Sequence, residues 1–139
     1  MVSRTRLLLA EDHLETAALL CDLLEPEFEV IAHVTDGRTL VQYAHRMAPD
    51  VIVSDISMPA VDGITVATAI LRDNAAARIV LVSVHGEHSM VARGLAAGAL
   101  GFVLKLSAGD DLVPAIHAAL RGERHVSGSL HCDNELIRR

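Results

Sequence analysis

Three segments of this chain are almost uninterrupted in their apolar character: "RLLLA" (6–10), "VIVS" (51–54) and "IVLVSV" (79–84). A strand with one wet face alternates polar and apolar residues. These segments do not alternate, so both of their faces have to be covered, as in a parallel sheet with helices on either side. Two further runs rich in β-branched residues, "FEVIAHV" (28–34) and "GFVLK" (101–105), share their length. Between the runs lie helical stripes. Leu14, Ala17, Ala18, Cys21 and Leu24 fall on one face that must end before Pro26. Ile64, Ala67 and Leu71 form a second stripe, and Leu112, Ile116, Ala119 and Leu120 a third, which stops at Gly122. Weaker helical segments cover 38–46 and 88–97. Pro114 leaves the start of the last helix open: it fits a start near Asp111, but lies inside the helix if Ser107 is the cap.

The order is β-α repeated five times, which predicts a doubly wound α/β sheet with right-handed crossovers. At 139 residues the chain makes one domain. Hydrophobic residues are 51% of it and aromatic residues only 2%, so Val, Leu, Ile and Ala build the core. The formal net charge of −6 argues against non-specific nucleic-acid binding by this chain. No apolar run is long enough to span a bilayer, and acids interrupt "MVSRTRLLLAED" too early for a secretory signal. Two cysteines, Cys21 and Cys132, make no disulfide framework; a cytoplasmic chain is the expectation. Cys21 lies on an apolar stripe and is expected in the core. Cys132 falls in "ERHVSGSLHCDNELIRR" (123–139), where the periodicity fades and a tail or linker is expected.

In folds of this kind ligands bind at the carboxyl ends of the strands. The expected strands end, in order, on Glu11 and Asp12, on Asp55, on Ser83 and on Lys105. One sheet edge therefore collects three carboxylates, a hydroxyl and an ammonium. Crowded carboxylates raise each other's pKa, and a hard divalent cation with a lysine offsets that repulsion. Mg²⁺ suits the set, because it takes oxygen ligands, keeps several waters and accepts one or two carboxylates plus phosphate oxygens. A carboxylate can attack phosphorus to give an acyl phosphate, and phosphoryl transfer needs positioning and charge neutralisation more than acid–base chemistry.

With "ED" at 11–12, "VSDISMPAVDG" at 53–63, "VLVSVHG" at 80–86 and "GALGFVLK" at 98–105, in that order, the sequence resembles the receiver domain of two-component response regulators. The resemblance covers about residues 5–122. It implies a CheY-like, flavodoxin-like (βα)5 fold with five parallel strands, a receiver over 1–122 and a tail or linker over 123–139. It implies a signalling phosphoacceptor rather than a classical enzyme, with Asp55 as the phosphoacceptor. It implies Mg²⁺ on Asp12, Asp55 and the backbone carbonyl of Ser57, with Glu11 acting through water. Ser83 would be the switch hydroxyl, Lys105 the phosphoryl contact and Phe102 the switch aromatic. Ser57 and His85 occupy the places that tune phosphate lifetime. A sensor histidine kinase is the implied partner, with no membrane contact.

The "EDH" start and "LVPAIHAALRGERHVSGSL" (112–130) are similar to the NarL/FixJ subfamily, whose members usually carry a LuxR-type helix-turn-helix. Such relatives read out through the fourth helix, fifth strand and fifth helix, or through the first and fifth helices, and a homodimer through that face is a further expectation. DNA would be reached only through an output domain that this sequence, ending at Arg139, does not contain; a stand-alone receiver is the other expectation. Leu106 follows the lysine where many receivers have proline. A phosphorylation-independent pseudo-receiver is opposed by the intact set Glu11, Asp12, Asp55, Ser83 and Lys105. An aspartyl hydrolase would want a second acid where Ser57 stands. A dinucleotide site would need glycines where the first turn has acids. "HGEHS" (85–89) and "HCD" (131–133) lack the four converging ligands of a zinc site.

Overall fold

The computed structural model describes residues 4–127. Its sheet is all parallel, built from β1 (Arg6–Ala10), β2 (Glu29–Val34), β3 (Val51–Asp55), β4 (Ile79–Ser83), β5 (Gly101–Leu104) and β6 (His125–Val126), in the order β2-β1-β3-β4-β5-β6. The connecting helices are α1 (Leu14–Leu24), α2 (Gly37–Met47), α3 (Gly63–Asp73), α4 (His88–Ala96) and α5 (Ala108–Leu120). Asp36 and Asp62 cap α2 and α3 by accepting from the backbone N–H groups of Thr39 and Thr65 at 2.8 and 2.9 Å.

The apolar runs do what their lack of alternation requires. Along β1, Leu7 and Leu9 turn toward α1 and α5, while Leu8 and Ala10 turn to the opposite face, covered by α2, α3 and α4. β3 and β4 split in the same way, Val51, Val53, Val80 and Val82 to one side, Ile52, Ile79 and Leu81 to the other. The sheet is thus the middle layer of three, with a core on each side.

Two details depart from the sequence reading, and one, the second below, settles what it left open. The buried face of α1 is Ala17, Leu20 and Leu24, whereas Leu14 is 71% exposed and Ala18 is exposed too. Leu14 opens the helix at the carboxyl edge of the sheet, where β1 has already ended and nothing lies beneath it. Cys21 is half-buried against the core, and that burial, helped by Glu25 and Asp22, pushes its thiol pKa up. Second, α5 starts at Ala108, behind a single 3-10 turn over Lys105–Ser107, so Pro114 lies inside it. Pro114 has no N–H for the Asp110 carbonyl, and both residues are exposed, so the gap in the ladder is on the wet side.

Third, the sheet has a sixth strand where five were expected. β6 is two residues long, too short to carry a period. It adds to the edge through His125 N–H to Leu100 O at 2.9 Å and Ser127 N–H to Phe102 O at 3.0 Å. The Ser127 hydroxyl oxygen also accepts from Leu104 N–H at 2.9 Å. Cys132 and "HCD" lie outside the described residues.

Val126 is only 3% exposed and packs in the same core as Phe102. Removing two buried methyl groups there, as in Val126→Ala, is expected to cost about 2 kcal/mol in urea unfolding. A change within error would mean that residues after Gly122 contribute nothing to the folded unit.

Candidate functional site at the carboxyl edge of the sheet

The chain leaves β1 for β2 on one side and returns to β3 on the other, so the strand order reverses between β1 and β3. At such a switch point the two following connections diverge and leave a crevice. Glu11 and Asp12 follow β1, and Asp55 is the last residue of β3. Register places Ala10 beside Ser54 and Asp55 beside Val82, so all three acids come to this crevice.

Lys105 reaches in from the end of β5. Its Nζ stands 2.8 Å from Glu11 Oε1 and 3.1 Å from Asp55 Oδ2. The other oxygens are held by backbone: Asp55 Oδ1 accepts from Ser57 N–H at 3.2 Å, and Glu11 Oε2 from His13 N–H at 3.2 Å. Glu11 and Asp55 are buried. Burial pushes the Asp55 carboxyl above its ordinary pKa, and the charge of Glu11 adds to this, while Lys105 and the Ser57 N–H pull it back. Burial by itself would lower Lys105, yet the two carboxylates beside it win and its pKa is raised.

The loop after Asp55 is closed by Gly63, whose N–H donates to Ile56 O at 2.7 Å. A Cβ at Gly63 would stand 2.3 Å from the Asp55 carbonyl oxygen, so this approach admits only glycine. Ser57 is exposed on that loop. Ser83 ends β4 next door, buried, and makes no hydrogen bond to Asp55. Its oxygen accepts from His85 N–H at 3.0 Å, and its hydroxyl points at Met90 Sδ, 3.8 Å away. Phe102 is fully buried beneath α4, where the missing side chain of Gly94 leaves room: a Cβ there would come within 3.3 Å of the ring. His85 is exposed, its Nδ1 3.8 Å from Glu87 Oε1.

Three carboxylates against one ammonium leave two negative charges to be neutralised. Asp12 Oδ1 is buried and accepts no hydrogen bond among the described residues. One oxygen each from Glu11, Asp12 and Asp55, together with a ring nitrogen of His13, lie within 4.8 Å of one another. A buried orphan oxygen in a doubly negative pocket fits a hard divalent cation. A cavity of about 180 Å³ between α2 and α3, lined by Ile52, Ile70 and Arg78 among others, opens at the opposite edge and meets none of these acids.

The sequence matches the response regulator receiver domain over residues 7–117. The chain belongs to the response regulator receiver family. It is 34% identical over 116 residues to the chemotaxis protein CheY of Bacillus subtilis, covering 83% of this receiver and 97% of that protein. It is 33% identical over 103 residues to the transcriptional regulatory protein DegU of Brevibacillus brevis, covering 74% of this chain but only 44% of DegU. The receiver thus spans less than half of that regulator. Among solved structures, a LuxR-family two-component response regulator from Aurantimonas superposes with a TM-score of 0.91 at 30% identity, covering 98% of this chain and 99% of that one. Among the described residues, no helix is long and apolar enough to cross a membrane.

Two neighbours of the site were not anticipated. Met90 looked like one more apolar residue of a weak helix. His13 was visible only as the letter after the acidic pair, and nothing about its spacing separated a ring pointing at the acids from one pointing away.

Asp55 has a native pKa above its unfolded value, so folding works against its charged form. That cost is absent below about pH 4, grows as pH rises through the native value and is complete above it. With metal removed by EDTA, Asp55→Asn is therefore expected to be more stable than the parent at pH 7, with the gain vanishing below about pH 4. Urea midpoints across pH measure this; a gain that persists at low pH would assign it to something other than the carboxylate charge.

Proposed function

We propose that this receiver is a phosphorylation-operated switch whose acceptor is Asp55. The observation that carries the reading is a buried carboxylate at the end of β3 sharing one ammonium with Glu11, beside an Asp12 oxygen that accepts no hydrogen bond among the described residues. Asp12, Asp55 and the Ser57 carbonyl would hold Mg²⁺, with Glu11 acting through water. When bound, the ion neutralises charge on the transferring phosphoryl oxygens.

The chain's own groups account for the rest. A carboxylate oxygen of Asp55 forms the new bond to phosphorus. The phosphorus–nitrogen bond of a phosphohistidine donor breaks, and its electron pair leaves on the imidazole nitrogen, which takes up a proton. No general base is required, since Asp55 attacks as its anion. Lys105 already stands over Asp55 Oδ2 and pairs with phosphoryl oxygens. Ser83 gives up Met90 and donates to the phosphate; Phe102, one strand away, follows the space that Ser83 and its loop vacate. The phosphoryl charge in this way biases an equilibrium between two packings of one face.

A cytoplasmic histidine kinase is the donor in this proposal, and transcription is the output, through a LuxR-type DNA-binding domain outside this sequence. DegU, whose length extends well beyond the matched segment, is the comparison that supports this. The formal net charge of −6 argues against non-specific DNA binding by the receiver itself.

Incubation with Mg²⁺ and acetyl phosphate is expected to add one phosphoryl group to the intact mass of the parent protein and none to Asp55→Asn. Equal labelling of both would move the acceptor elsewhere, and no labelling of the parent would favour a phosphorylation-independent interaction module. His85 lies two residues beyond Ser83, exposed on the loop after β4, and in this proposal its bulk slows the attack of water on the acyl phosphate. His85→Ala is expected to lose its acyl phosphate faster than the parent by the same mass assay, and equal rates would remove His85 from the mechanism.

A further inference from the structure

His13 contributes no cap to α1 although it occupies the N-cap position, where Ser, Thr, Asp and Asn are favoured because their side chains bond the first N–H groups. Its ring turns instead to the acids. Nδ1 lies 3.3 Å from Asp12 Oδ1 and 3.5 Å from Glu11 Oε2. Neither contact is a hydrogen bond: Asp12 Oδ1 remains without a hydrogen-bond partner with the ring nitrogen this close. Glu11, wholly buried, likewise has an oxygen, Oε1, that meets Lys105 at ion-pair distance without hydrogen-bond angles.

Those separations have a simple meaning for ligand atoms. With bonds of about 2.1 Å, neighbouring ligands of an octahedral ion are about 3 Å apart and opposite ones about 4.2 Å. The 3.3 Å between His13 Nδ1 and Asp12 Oδ1 is close to the first value, and the 4.8 Å within which the whole group lies is slightly above the second.

We propose that His13 is a metal ligand, and that it gives this acidic site a preference for nitrogen-accepting divalent ions such as Co²⁺ over Mg²⁺. The inference rests on the reading of Glu11, Asp12 and Asp55 as a divalent-metal site. Carboxylate and water ligands alone suit Mg²⁺; an added imidazole favours the later first-row ions, whose affinities for mixed nitrogen–oxygen sites rise along the series. The competing account makes His13 a mere counter-charge to the acids. The two accounts differ in sign. A positive ring repels every divalent ion, so its removal would strengthen Co²⁺ and Mg²⁺ binding together. Loss of a nitrogen ligand weakens Co²⁺ selectively.

The test is calorimetric titration of Co²⁺ and of Mg²⁺ into the whole chain, for the parent, His13→Ala and Asp12→Asn. Binding that Asp12→Asn abolishes belongs to the site, which separates it from the other histidines. The Co²⁺-to-Mg²⁺ affinity ratio is expected to fall about tenfold in His13→Ala. Proton spectra of the Co²⁺-loaded parent should also show a strongly shifted ring N–H signal that His13→Ala lacks. An unchanged ratio, or tighter binding of both ions, overturns the proposal while leaving the acidic site intact. Failure of the parent to bind either ion in an Asp12-dependent way removes the metal reading itself, and this inference with it.

Discussion

Lys105 holds the carboxyl edge of this receiver together. Its ammonium is shared by Glu11 after β1 and Asp55 at the end of β3, two strands whose buried faces leave little water to solvate either acid. Without that cation the edge would carry adjacent buried negative charges, an arrangement that costs several kcal/mol when one partner of a buried pair is lost. The lysine reaches them only because β5 lies beyond β4 and ends level with both, so the ion pairs depend on the strand order as much as on the side chains. The order in turn depends on apolar runs that cannot tolerate a wet face. Electrostatics at the site and hydrophobic burial beneath it are one constraint seen from two ends.

β5 serves several purposes within four residues. Phe102 points into the α4 side of the core, Val103 into the α1–α5 side, and Lys105 follows directly at the acids. Its outer edge is bonded to β6 through Phe102 O and Leu104 N–H. Residues 125–127 are therefore anchored to the strand that carries the buried ring and leads into the site's cation.

Much of this was legible beforehand, for physical reasons that differ from residue to residue. β1 spans the residues that the run "RLLLA" marked, because a strand buried on both faces leaves no ambiguity about where polarity returns. The meeting of Glu11, Asp12, Asp55 and Lys105 at one edge followed from strand ends alone, since parallel strands share a carboxyl edge. The face of α1 did not follow: alanine and leucine lie nearly all round that helix, so periodicity could not choose between Leu14 and Leu20. β6 is held by backbone hydrogen bonds and one apolar side chain, which no pattern in "RHV" announces. Ring direction at His13 and the Ser83–Met90 contact are rotamer facts, and sequence spacing does not encode rotamers.

The Ser83 contact bears on how such an edge would switch in the proposed mechanism. A bistable element needs two arrangements that differ by only a few kcal/mol, since a ligand shifts an equilibrium by no more than its differential affinity for the two states. Ser83 is buried, where an unsatisfied hydroxyl would be costly, yet its proton is given to a thioether 3.8 Å away, a weak acceptor. Had it been bonded to a backbone carbonyl, more would be lost on leaving. The Asp55 side shows the same economy. Its Oδ2 is ion-paired to a lysine whose amine can pair as well with a phosphoryl oxygen, so the proposed phosphorylation of Asp55 would exchange one anionic partner for another. Both contacts are sufficient to keep polar atoms satisfied and weak or exchangeable enough to be given up, so the rigid sheet beneath need not change when the edge does.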